Sequence, residues 1–116
     1  MAEPNATDIL TAARALLAPA GAWCQHATHK VLGPEIRARD IVTALWAGGQ
    51  QCGLLVSGSP ASKAAYQAMW DATGGRGIIA FNDDLQTTHE RVLLAFDMAL
   101  QQVRQVVPAV GLEPTT

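Results

Sequence analysis

The stretch that decides the fold is Gly74–Val103, GGRGIIAFNDDLQTTHERVLLAFDMALQQV. A glycine-rich turn leads into four apolar residues, then into Asn82-Asp83-Asp84, then into a long amphipathic segment. Val92, Phe96, Ala99, Leu100 and Val103 recur at helical spacing and define one apolar stripe. Arg91, Asp97, Gln101, Gln102, Arg104 and Gln105 cover the other side. Thr87-x-x-Glu90 has the form of a capping box, which places the helix start at Thr87. Pro108 is expected to end the pattern. The segment Gly77–Phe81, GIIAF, is too short for a helix between glycines and reads as extended.

Working outward, three more helices are expected. One starts near Thr7, carries Ile9, Ala13, Leu16 and Leu17 on one face, and stops at Pro19 and Gly21. A second runs from about Pro34 to Ala47, with Ile41, Val42, Leu45 and Trp46 inward and Gly48-Gly49 as its stop. A third follows the cap-and-proline pair Ser59-Pro60 over about 60–72, with Ala61, Ala64, Ala65, Ala68 and Met69 forming a small-residue face. Alanine supplies 21 of the 116 residues, which favours helix throughout. The expected fold is mainly α: a compact four-helix single domain over 7–107 with flexible tails at 1–6 and 108–116. A small two-stranded element pairing 23–31 with 77–81 is the one β feature considered.

Composition narrows the function. The chain is 49% apolar and 16% charged, with a net charge of −2; that is globular and carries no basic footprint for nucleic acid or an anionic membrane. Lys30, Arg37 and Arg39 are interrupted by Glu35 and Asp40. The N-terminus has neither the basic nor the apolar region of a signal peptide, and no apolar run reaches the roughly 18 residues of a membrane span. Two cysteines, Cys24 and Cys52, do not make a disulfide framework, so a cytoplasmic location is expected.

Four sets of residues are candidates for chemistry. Asn82-Asp83-Asp84 has a structural explanation as a turn whose side-chain oxygens fold back on the backbone; alternatively Trp23, Gln25, Asn82 and Asp83 line a ligand pocket. Cys24, His26 and His29 can ligate zinc, but C-x-H-x-x-H is not a common ligand spacing. No local signature marks Cys24 or Cys52 with His26, His29 or His89 as a nucleophile–base pair. GGRG follows a helix, so it is not a phosphate loop. Trp46 and Trp70 are expected to fill the core, and an exposed tryptophan would be an interface anchor. No catalytic residue, metal or cofactor is assigned.

The order of these segments resembles a group of small, mostly bacterial and phage-borne proteins, the domain-of-unknown-function family 6197. The resemblance covers roughly residues 8–104. It rests on ILTAARALLAPAGAW, on the Trp-x-Gln pair Trp23/Gln25, and on FNDDLQTTHERVLLAFDMA. Phe81 stands where the family has Trp, and RDIVTALWAGG lacks the family's Cys-x-x-Gly-Ala character. The resemblance implies no activity. It singles out Trp23/Gln25 and Asn82/Asp83 together, as neighbours in space. The functional expectation is a small protein-binding module or regulator, of the kind a phage inhibitor represents. The alternatives are the Trp23/Gln25/Asn82/Asp83 pocket and a structural homodimer subunit.

Overall fold

The structure, a computed structural model, describes residues 5–25, 39–53 and 59–112, and from residue 105 onward the helix backbone alone. Among the described residues five helices are seen: α1 (Ala6–Leu17), α2 (Ile41–Gln51), α3 (Pro60–Ala72), α4 (Ile78–Asp83) and α5 (His89–Leu112). The mainly helical expectation is met. The only β feature among the described residues is an isolated parallel bridge between Trp23 and Arg39.

α1 is the central element, packed against α2, α3 and α5, while α3 also packs on α5. Its entry is fixed by a reciprocal capping box: the Asp8 N–H donates to Asn5 Oδ1 and the Asn5 N–H to Asp8 Oδ2. The cap is therefore Asn5 rather than Thr7. Ile9, Leu10, Ala13 and Leu17 are fully buried. Against them pack Ile41, Ala44 and Leu45 of α2, Ala65, Ala68 and Met69 of α3, and Val92, Ala95, Phe96 and Ala99 of α5. Phe96 is the largest fully buried side chain.

A core this rich in alanine draws helix axes together and leaves no space for indoles. Trp46 and Trp70, expected inside, are instead 49% and 44% exposed. Each sits one position beyond the buried face of its helix, next to Leu45 and Met69 respectively.

The closest approach explains why α2 runs through Gly48-Gly49 rather than stopping there. A Cβ on Gly48 would lie 2.9 Å from Ala13 N and 3.0 Å from Ile9 O, so only hydrogen fits between α1 and α2. α2 ends later, at Cys52 and at Gly53, whose φ is +92°. It also starts later than expected. Asp40 is extended and caps Ile41–Gln51, and Arg39 is held in the bridge to Trp23, so residues 39–40 cannot be inside a helix. The rest of the expected start, 34–38, lies outside the described residues, as do 26–31, with His26 and His29.

Three other boundaries differ. GIIAF is not extended: Ile78–Phe81 opens α4, closed by the Phe81 N–H donating to Gly77 O at 3.0 Å, so the pairing of 77–81 with 23–31 does not form at that end. Ile78 and Asn82, four apart, are the buried residues of α4 while Ala80 is exposed; a strand would have turned Ala80 inward with them. α5 is capped by Thr88, whose Oγ1 accepts the Arg91 N–H at 3.2 Å, because the Thr87 N–H is already committed to Asp84 O. α5 also continues past Pro108 to Leu112; proline's fixed φ is helical, and one lost hydrogen bond does not terminate a long helix.

The α1–α2 contact makes a paired prediction. Gly48→Ala should lower stability by about 1–3 kcal/mol through overpacking. Gly49→Ala, where a Cβ meets nothing within 4 Å, should raise it by about 0.5–1 kcal/mol through helix propensity. Urea denaturation of both variants checks the contrast.

Candidate functional site

Trp23, Gln25, Asn82 and Asp83 do come together. Residues 22–24 run extended beside Arg39: the Arg39 N–H donates to Ala22 O at 2.8 Å and the Cys24 N–H to Arg39 O at 3.0 Å. Extended backbone puts residues two apart on the same side. Trp23 and Gln25 thus both reach the end of α4, which is the physical content of the Trp-x-Gln spacing.

Asn82 is the hub, fully buried. Its Oδ1 accepts from Trp23 Nε1 at 2.7 Å and from the Ile41 backbone N–H at 3.0 Å. Its Nδ2 donates to Cys24 O at 3.2 Å and to Asp83 Oδ1 at 2.9 Å. An indole N–H only donates and a carbonyl only accepts, so the partners fix the orientation of the amide. Two bonds accepted and two donated use its full capacity. Gln25 Nε2 donates to Asn82 O at 3.1 Å and to Asp84 O at 2.7 Å, satisfying carbonyls at the end of α4 that have no helical partner.

The members of the Asn-Asp-Asp triplet differ in role. Asp84 makes a turn: its Oδ1 accepts the Gln86 N–H at 2.7 Å and its carbonyl accepts the Thr87 N–H. Asp83 receives the Asn82 amide. Asn82 joins three segments distant in sequence.

Two further residues complete the cluster. His89 stacks on Trp23, with ring centroids 6.1 Å apart and planes 14° from parallel. Its Nε2 also bonds Leu17 O at the end of α1, and because a carbonyl only accepts, Nε2 carries the proton. Asp40, also fully buried, exchanges bonds with Thr43 as the α2 cap, at 2.8 and 3.0 Å. Its Oδ2 has no hydrogen-bond partner among the described residues. The Tyr66 hydroxyl feels both effects: burial first, and then the Asp40 charge, raise its pKa above 10.0.

Sequence reading did not include Ile41, Asp40, Thr43 or His89 in this cluster. Asp40-x-x-Thr43 was a legible capping pattern; the partnership of Ile41 with Asn82 has no local signal. Among the described residues no three His, Cys, Asp or Glu side chains converge as metal ligands; His26 and His29 lie outside that set. Neither Cys24 nor Cys52 forms a disulfide. Burial, and then the charge of Asp8, push the Cys52 thiol up, the opposite of what an activated nucleophile needs. No helix among the described residues is long and apolar enough to cross a membrane.

The fold and cluster thus define a small helical protein closed by a buried asparagine between its chain crossings. The chain belongs to the family of unknown function DUF6197, whose model matches residues 1–102. No curated protein and no solved structure matches the chain.

Two outcomes are expected. Asn82→Ala should cost about 3 kcal/mol or more, since it strands the Trp23 indole N–H, the Ile41 N–H and the Cys24 carbonyl at once; Asn82→Asp should not rescue it, because a carboxylate cannot donate to Cys24 O. Chemical denaturation measures both. Tyr66 holds its proton more tightly folded than unfolded, so its contribution to stability is full below pH 10.0 and is lost as pH rises from there through its raised folded value. The melting temperature should fall less steeply above roughly pH 10 in Tyr66→Phe than in the wild type.

Proposed function

We propose that this protein acts by docking on another protein through the outer face of α5. The observation that carries this reading is an apolar pair left in solvent on a helix whose other face is core. Leu94 is 57% and Met98 50% exposed, four residues apart and therefore adjacent on the helix surface. Leu94, with Leu93, lines a shallow groove of about 570 Å³ shared with α1. Arg14, Glu90, Arg91 and Asp97 rim it, with Arg14 and Asp97 paired at 2.8 Å. An apolar centre inside a rim of both charges is the anatomy of a protein interface, and methionine adapts readily to a partner's shape. Leu85, on the turn leading into α5, is 94% exposed. The Asn82 side chain supports the same reading, because all four of its hydrogen bonds are spent on holding the fold.

Site-specific photo-crosslinking in the source cells tests this. A benzophenone side chain at Leu94 should give a discrete adduct with a different protein. The same group at the exposed Lys63 on α3 should not, and Met98→Glu should abolish the adduct. No adduct, the same adducts from both positions, or adducts with a second copy alone would overturn the proposal.

A further inference from the structure

We propose that the cleft between the α3–α4 turn and the start of α5 binds an oxyanion, a carboxylate or a phosphate ester, carried on an apolar body. The cleft holds about 410 Å³, within the range of small-molecule sites. Two arginines line it, Arg76 from the turn and Arg91 from the first turns of α5. Arg76 makes no hydrogen bond or ion pair among the described residues. Arg91 is steadied by one Nη1 contact to Gln86 O at 3.4 Å, which leaves most of its donors unused.

The acid in the same cleft, Asp84, does not neutralise them. Its Oδ1 is turned back onto the Gln86 N–H, and the ion pair seen among the described residues, Arg14–Asp97, is elsewhere. Two guanidiniums against one carboxylate leave the cleft positive in a chain whose net charge is −2. Guanidinium forks match the geometry of carboxylate and phosphate oxygens. Phe81 supplies an apolar wall, so the favoured ligand is an oxyanion on a ring or chain rather than a bare ion.

The segment that carries Arg76 is held in place. Gly74, Gly75 and Gly77 have φ of +92°, +75° and +116°, and the Gly75 N–H donates to Trp70 O at 2.9 Å, closing the turn behind α3. Arg76 is thus presented from a tight turn, across the cleft from a helix.

The test is a heteronuclear NMR titration of the full chain with benzoate, phenyl phosphate and inorganic phosphate. Saturable shifts are expected at Arg76, Gln86, Thr87 and the Arg91 side chain. Either aromatic probe should bind more tightly than inorganic phosphate. The stronger of benzoate and phenyl phosphate identifies the oxyanion. Arg76→Gln and Arg91→Gln should each weaken binding about tenfold, and Arg76→Lys should recover part of the loss. Both arginines are exposed, so the spectra of the variants should otherwise stay those of the folded protein. Shifts that do not saturate, shifts of equal size around Arg14 and Arg104, or unchanged binding in Arg76→Gln would overturn the proposal. The single variant Met98→Glu, whose charge lies two helical turns from Arg91, should bind the probes as the wild type does, which separates this site from the docking face.

Discussion

Four hydrogen bonds to one buried side chain hold this fold closed. Asn82 accepts from the Trp23 indole and the first N–H of α2, and donates to Cys24 O and to Asp83. A buried amide is costly unless every donor and acceptor is used. That requirement ties three chain segments, around residues 23, 41 and 82, to a single mutual geometry. It also satisfies one of the orphan donors at the start of α2, where Asp40 satisfies another. Local bonds then build on the hub: Gln25 covers the last carbonyls of α4, and His89 bridges from Trp23 to the end of α1.

The alanine-rich core is the second constraint, and it has consequences at the surface. Small side chains at Ala13, Ala44, Ala65, Ala68, Ala95 and Ala99 let α1, α2, α3 and α5 approach closely, down to the glycine contact at Gly48. The volume so saved leaves room for Phe96 but displaces Trp46 and Trp70 outward. Large apolar groups that other cores would absorb, Leu94 and Met98 among them, stand on the outside.

What the sequence made legible was local. The Ser59-Pro60 start and the stripe Val92–Phe96–Ala99–Leu100 depend on neighbours a few residues away, and they stand in the structure; of the small-residue face of α3, Ala65, Ala68 and Met69 are buried, whereas Ala61 lies at its edge and Ala64 is exposed. Ile78-Ile79-Ala80-Phe81 misled because four apolar residues cannot distinguish a helical turn from a strand by period. The cap of α5 moved one residue because Asp84, three positions earlier, takes the Thr87 N–H into a turn. The proximity of Trp23/Gln25 to Asn82/Asp83 followed from the family resemblance. The inclusion of Ile41 could not follow, because a backbone N–H has no side-chain identity to read. The Arg76–Arg91 cleft was equally hidden, since it joins a turn to a helix fifteen residues on and neither arginine belongs to a pattern.

The most direct test of this account is site-resolved hydrogen exchange on the wild-type protein, read at the Ile41 amide and the Trp23 indole N–H. If Asn82 is the closure of the fold, both protons are released only by global unfolding, at the same free energy as the amides of the α1 core. If either exchanges as quickly as the amides of the exposed 84–88 turn, the clasp opens by itself, and the fold does not depend on it.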